Sequence, residues 1–436
     1  MENQKIKKIA AYTLGCKVNA YDTEAMLELF LNKNYEIVNF DEFSDIYLIN
    51  TCTVTNLSDK KSRQMIRKAK NNNPAAIIVA VGCYAQVNPE ELQKIEGLNL
   101  IIGTKDRAEI VHKVENYEKE QGIINSVSNI MDEQVFEKLS VNRLHGKTRA
   151  LLKIQEGCNQ YCSYCIIPYA RGNIRSRDPL DVIEETQVLT KNGFKEIVLA
   201  GIHVASYGKD LGNVDLLNIL EQVHEVENLK RIRFSSIEPT VVTEQFVNTI
   251  KSLPKVCDHF HLSLQSGCNK TLKRMNRKYT AEQYEFAVNL LKSSFPNVSI
   301  TTDIIVGFPG ETQNDFHESY NFVKNVGLSN LHIFPYSPKR GTKAALFKDQ
   351  VPNKIKAERS KKMIKLSEDL DSAFKKKYLN AELQVLFEQK LEGNIYEGHT
   401  TNYMKVQVQS QQDLINKIIN VKPIFLKGDL LTSKII

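Results

Sequence analysis

The stretch Glu156-Gly157-Cys158-Asn159-Gln160-Tyr161-Cys162-Ser163-Tyr164-Cys165 decides how the rest of the chain is read. Its cysteines are spaced C-x3-C-x2-C, directly after an apolar run at 151–154 that predicts a strand. Three thiolates can hold three irons of a cubane cluster. Such clusters ordinarily take four cysteines. The fourth iron is then open to an outside ligand, as in other open catalytic metal sites. A zinc ion needs a fourth ligand, and no Cys or His follows at a useful local spacing.

Outward from this loop, strand patterns at 196–200, 231–235, 261–264, 299–306 and 330–334 alternate with helical stretches around 179–192, 216–223, 242–251, 281–292 and 314–326. Six βα units with right-handed crossovers predict an open, partial (βα)6 barrel. Upstream, strands at 6–13, 46–50 and 77–81 alternate with helices at 22–34, 58–70 and from 89. That repeat has the length of a βαβ step, roughly 30 residues or more, and predicts an N-terminal doubly wound parallel sheet. Residues 116–144 lose the pattern and read as a linker with one crossing helix. A basic amphipathic helix is expected at 353–378. The character then changes, with short strands at 382–387, 402–408 and 429–435 between Gly-containing turns. They predict a small all-β barrel, with a sandwich as the alternative. The chain is therefore an α/β multidomain protein divided at 1–115, 116–144, 145–375 and 376–436.

Cys16, Cys52 and Cys83 each follow an N-terminal strand and lie 36 and 31 residues apart. Loops at the carboxyl edge of a parallel sheet gather in one place, so a second three-cysteine cluster is expected there. Three unrelated buried thiols are the alternative. Cys257 and Cys268 have no local partners and read as core residues.

Of 436 residues, 42% are hydrophobic and 25% charged, which excludes global disorder. No apolar run is long enough to span a bilayer. Met1-Glu2-Asn3-Gln4-Lys5 lacks a signal-peptide pattern, so a cytoplasmic protein without a membrane partner is expected. Eight cysteines in such a chain point to metal, redox or core roles rather than disulfides. The net charge is +7, and 339–377 is its most basic stretch. Such a run suits a polyanion like RNA, or is a solvated basic helix.

The motifs together resemble the radical S-adenosylmethionine methylthiotransferases, and within them the MtaB-type transfer-RNA subgroup. Thr13-Leu14-Gly15-Cys16-Lys17-Val18-Asn19, Asn50-Thr51-Cys52-Thr53-Val54-Thr55 and Val81-Gly82-Cys83-Tyr84-Ala85-Gln86 match its three N-terminal cysteine segments. Ile167-Pro168-Tyr169-Ala170-Arg171-Gly172, Gln265-Ser266-Gly267 and Gly307-Phe308-Pro309-Gly310 continue the likeness, and Gly398-His399-Thr400-Thr401-Asn402-Tyr403 is similar to a TRAM signature. Asn380 departs from it, since such domains often begin with Gly. Opening motifs of Gly-Cys-Gln-Met-Asn or Gly-Cys-Pro-Lys-Asn would suggest relatives acting on isopentenyladenosine or a ribosomal protein. Lys17-Val18 favours neither.

The resemblance implies two [4Fe–4S] clusters, on Cys16, Cys52 and Cys83 and on Cys158, Cys162 and Cys165. It implies S-adenosylmethionine as cofactor and a C-terminal TRAM domain that binds RNA. The implied activity is transfer of a methylthio group to carbon 2 of threonylcarbamoyladenosine, beside the anticodon of transfer RNA. An electron donor such as flavodoxin or ferredoxin is needed, and the sulfur donor is unknown. A non-catalytic iron–sulfur RNA-binding protein is the alternative of another class. Gly201, Glu238, Gln265 and Arg277 stand at strand ends or beside them as candidate cofactor contacts. Ordinary turn or surface roles are open for each. His203 reads as structural. Tyr403 reads as a core aromatic or a base-stacking one.

Overall fold

The computed structural model describes residues 6–117, 122–142 and 148–436. The pentapeptide at 1–5 and the expected boundary at 144/145 lie outside the described residues. The first sheet contains β1 (Lys8–Thr13), β2 (Glu36–Val38), β3 (Ile46–Thr51), β4 (Ile77–Gly82), β5 (Leu100–Ile102) and β6 (Ile124–Asn125). All are parallel, in the order β2-β1-β3-β4-β5-β6. Strand alternation explains why it is doubly wound. Ile9, Leu48, Val79 and Leu100 bury one face, while Ala10, Tyr47, Ile49, Ile78 and Ile101 bury the other. β2, β5 and β6 have at most three residues each and escape periodicity. The expected crossing helix at 116–144 is not present among the described residues. That stretch instead supplies β6 and a turn of 3-10 helix at Ile130–Asp132. Its polar sequence has no apolar stripe to drive a helix against the core.

The second body contains β7 (Arg149–Glu156), β8 (Arg175–Ser176), β9 (Glu196–Gly201), β10 (Arg231–Phe234), β11 (His259–His261), β12 (Ser299–Val306) and β13 (Asn330–Pro335). β7, β9 and β10 pair in parallel, as do β11, β12 and β13. Single parallel bridges Ile232–Val256 and Ile237–Leu262 join the two groups into an open arc of six strands. β8 adds antiparallel to β7. The fourth arc strand lies at 259–261 rather than the expected 261–264. His259 and His261 point polar side chains inward while Phe260 packs outward. The strand therefore does not read as an apolar run. Leu152, Ile154, Ile197, Leu199, Ile232 and Ile300 bury the outer face under the helices, and Tyr21 and Ala25 of helix Lys17–Leu31 join that core.

Helix Asn353–Lys376 is followed by β14 (Leu383–Leu391), β15 (Ile395–Thr400), β16 (Lys405–Gln409), β17 (Ile418–Lys427) and β18 (Leu430–Ile435). They close into a barrel ordered β14-β15-β16-β18-β17 around Val385, Phe387, Tyr396, Val406 and Val421. Closure decides for a barrel over a sandwich. Gly398 is required because a Cβ there would lie 2.1 Å from the Leu386 carbonyl. Asn380 adopts the left-handed conformation (φ 66°) that glycine also supplies. The basic run at 339–377 is partly internal. Lys356 donates to the Tyr336 carbonyl at 2.9 Å, and Arg359 pairs with Glu311 at 2.6 Å. Lys339 pairs with Asp59 of the first body, and all three cations are buried. Lys375 is likewise buried and paired with Asp371, so only the exposed cations of the run can face a polyanion.

Candidate functional site

β7 ends at Glu156, and its loop carries Cys158, Cys162 and Cys165. Gly157 (φ 72°) opens the turn; a Cβ there would lie 1.8 Å from the Asn173 carbonyl. The Cys158 N–H donates to the Gly172 carbonyl at 3.0 Å, and the Cys165 N–H to the Cys162 carbonyl at 2.9 Å. Arg277 Nη1 donates to Cys162 Sγ at 3.2 Å, and its Nη2 donates to Glu238 Oε1 at 2.7 Å. Gln160 donates to Glu238 Oε2 at 3.2 Å, and His203 Nε2 lies 2.9 Å from that oxygen. Burial alone would raise the Glu238 carboxyl, but His203 and Arg277 hold it below the usual carboxylate range. Thus Glu238 and Arg277 do meet the cysteine loop.

Gly201 and Gln265 make other contacts. A Cβ on Gly201 would crowd Gln155 and Val204 at 3.0 Å, and Gln155 accepts the His203 N–H at 2.7 Å. Gln265 is left-handed (φ 68°) and bridges to Ile304 through its backbone.

The N-terminal cysteines follow β1, β3 and β4, three adjacent strands of one sheet. In its strand order, crossovers leave in opposite directions from β1 and β3, which opens a crevice at their carboxyl ends. Cys16 and Cys52 flank that crevice, and Cys83 begins the helix Cys83–Val87 beside it. Arg171 Nε donates to Cys83 Sγ at 3.1 Å. Its Nη1 pairs with Glu156 at 2.6 Å and with Asp22 at 2.9 Å. Lys153 joins both carboxylates at 3.0 and 2.5 Å, and Arg107 bridges them too. These five charged side chains are almost wholly buried and tie the first sheet to the cysteine loop. Burial pushes Asp22 and Glu156 up, but the three cations outweigh it and hold both carboxyls below their ordinary values. The sequence alone did not mark this network. Its members are scattered from Asp22 to Arg171, with no common motif to signal it.

All eight cysteines are free thiols. Burial pushes Cys83 and Cys165 up to about 12 and Cys158 to about 11, and neighbouring thiols add to each shift. Such thiols give up their protons readily only to a bound cation. Among the described residues, Cys268, Asp315 and Glu318 form the one group of three metal-binding atoms within 4.8 Å of one another. Each cysteine triad instead offers three thiols, a donor set that fits an iron–sulfur cluster, with one guanidinium on each triad to offset anionic sulfur. The Cys268 group is a poor cation site, because Asp315 already holds Lys270 at 2.8 Å and caps helix Gln313–Val326. Cys257 is buried, as expected of a core thiol.

Tyr403 is not a core aromatic. Its ring stacks with those of His259 and His399, 4.7 Å from each and within 20° of parallel. These contacts join the two barrels, and 36% of Tyr403 stays exposed.

The Radical SAM superfamily profile matches residues 152–323, and that of Uncharacterized protein family UPF0004 matches 8–103. The radical S-adenosylmethionine methyltransferase TsrM from Kitasatospora setae shares the fold, with a TM-score of 0.56, 15% identity and 77% of each chain covered. Fold and cysteine loop define a radical S-adenosylmethionine enzyme, whose cofactors are [4Fe–4S] chemistry and S-adenosylmethionine. The Threonylcarbamoyladenosine tRNA methylthiotransferase MtaB of Bacillus subtilis is 46% identical over 95% of this chain and 93% of its own. The tRNA-2-methylthio-N(6)-dimethylallyladenosine synthase of Alkaliphilus oremlandii is 34% identical over 99% and 93%. The chain belongs to the radical-SAM methylthiotransferase family, and to its MtaB type. No helix among the described residues is long and apolar enough to cross a membrane.

Proposed function

We propose that this chain transfers a methylthio group to carbon 2 of threonylcarbamoyladenosine beside the anticodon of transfer RNA. The observation that carries this is the pair of free-thiol triads at the carboxyl ends of two parallel sheets, in a chain 46% identical to a relative named for that reaction. Cys158, Cys162 and Cys165 hold one cluster and leave one iron for S-adenosylmethionine. Cys16, Cys52 and Cys83 hold the auxiliary cluster. When bound, these groups supply one-electron cleavage of the sulfonium and the sulfur to be methylated. Arg277 and Arg171 each hold a proton donor against one ligand sulfur, which tunes cluster charge. Glu238 orients Arg277. Gly201, at the end of β9, and Gln265, past β11, border the cofactor's seat.

The domain divisions stay as read from the sequence, except that β6 extends the first body to Asn125, and the C-terminal barrel is the RNA-binding part. A small cytoplasmic donor such as flavodoxin or ferredoxin supplies electrons. Transfer RNA from a strain lacking this chain should keep threonylcarbamoyladenosine and lose its 2-methylthio form. Unchanged nucleoside levels would reject the proposal. Anaerobically purified protein should carry about eight irons per chain, where about four would leave a single cluster.

A further inference from the structure

Between the Cys16 loop, the bore of the arc and the turn at 398–405 lies a cavity of about 590 Å³. Most of its lining residues are polar, Asp303 and Asp429 among them. Arg149, Arg233, Lys375 and Lys405 line it, and each is already paired, with Glu388, Glu196, Asp371 and Glu397. Lys17 lines it too, and among the described residues it has no ion-pair partner. Lys17 is the first residue of the helix Lys17–Leu31, whose Cys16 cap makes no side-chain hydrogen bond. The positive end of the helix therefore adds to the ammonium. Two further wall residues, Ser235 and His259, are buried, and Ser235 Oγ and His259 Nδ1 have no hydrogen-bond partner. Buried polar atoms are costly to leave unmade. An uncommitted cation and two unsatisfied polar atoms together call for an anionic, hydrogen-bonding ligand.

We infer that this cavity receives the amino-acid side chain carried by threonylcarbamoyladenosine, and that Lys17 reads its carboxylate. The inference rests on the function proposed above and adds the residue that sets specificity. The threonylcarbamoyl group brings a carboxylate for Lys17, and a hydroxyl and a urea for unsatisfied atoms such as Ser235 Oγ. An apolar isoprenoid group would leave all of these unmet. Because Lys17 directly follows Cys16, the reading group sits beside the auxiliary triad.

The test is a two-by-two comparison with holoenzyme and anticodon stem-loops. One stem-loop carries threonylcarbamoyladenosine and the other its carboxylate methyl ester. kcat/KM and equilibrium binding are measured for wild type, Lys17→Gln and Lys17→Arg, each with its iron content. Wild type should prefer the free carboxylate by about 10- to 150-fold, the range for one hydrogen bond to a charged group. Lys17→Gln should bring that ratio near one, and Lys17→Arg should keep most of it. The ratio is internal to each protein, so partial loss of iron does not disturb it, and binding reports it without turnover. An undiminished ratio in Lys17→Gln overturns the role of Lys17, as does a wild type indifferent to the ester. A wild type that ignores the threonylcarbamoyl stem-loop but converts an isoprenoid one overturns the proposed function as well.

Discussion

Cys158, Cys162 and Cys165 hang from one loop, whereas Cys16, Cys52 and Cys83 come from three loops of one sheet. Each triad has one arginine on one sulfur, but the arginines are anchored differently. Arg277 answers to Glu238, which also keeps Gln160 at 3.2 Å and His203 at 2.9 Å. Arg171 answers to Asp22 and Glu156, carboxylates from two different bodies of the protein. The loop triad needs only its own turn and the end of β7. The distributed triad needs the strand order, the docking of the two bodies and a buried ionic network. A metal site assembled from distant segments is thus also a sensor of tertiary integrity.

The sharpest way to break the comparison is to remove one ligand from each triad. Cys162→Ala should abolish reductive cleavage of S-adenosylmethionine, read as 5′-deoxyadenosine. Cys52→Ala should keep that cleavage and lose methylthio transfer. Equal loss of cleavage in both would dissolve the division of roles.

The arginines give the next largest contrast. Arg171→Met leaves Asp22 and Glu156 buried with fewer cations, and breaking such a pair costs about 3–5 kcal/mol. Arg277→Met should cost less, about 1–3 kcal/mol, because it takes a partner from one carboxylate, Glu238, whereas Arg171 serves two. Anaerobic urea titration measures both, and a larger loss at Arg277 would reverse the ranking.

The smallest effect is on acid stability. The Asp22 carboxyl is held below its ordinary value in the folded chain, chiefly against the upward push of burial, by Arg107, Lys153 and Arg171. A depressed folded value stabilises above the unfolded value of about 3.9 and fades as pH falls through the folded one. The gap in melting temperature between wild type and Asp22→Asn should therefore be full above about pH 5 and shrink below about 4. A gap independent of pH would mean that Asp22 acts by packing alone.

Much of this was legible in the chain. The spacing of Cys158, Cys162 and Cys165 is a local property, since turn geometry alone brings close neighbours together. The three longer N-terminal strands showed in their apolar runs, and so did the placement of Cys16, Cys52 and Cys83 after them. The short strands β2, β5 and β6 did not show, because three residues or fewer carry no period. β11 was displaced because a strand facing a polar bore loses the apolar signature. Tyr403 looked like a core or stacking aromatic because nothing in its neighbourhood announces two histidines from other elements.

By itself the sequence determined the cofactor chemistry, the family and the order of the three bodies. These rest on residue types at fixed local spacing and on hydrophobic periodicity, which a linear chain records directly. Only the tertiary structure decided that Arg171 serves the Cys83 sulfur, that Lys339, Lys356 and Arg359 of the 339–377 run are internal, and that Lys17, unpaired among the described residues, opens onto the cavity. Electrostatic partnership falls off over a few ångströms in space and is blind to separation along the chain. It therefore exists only once folding has brought distant charges together.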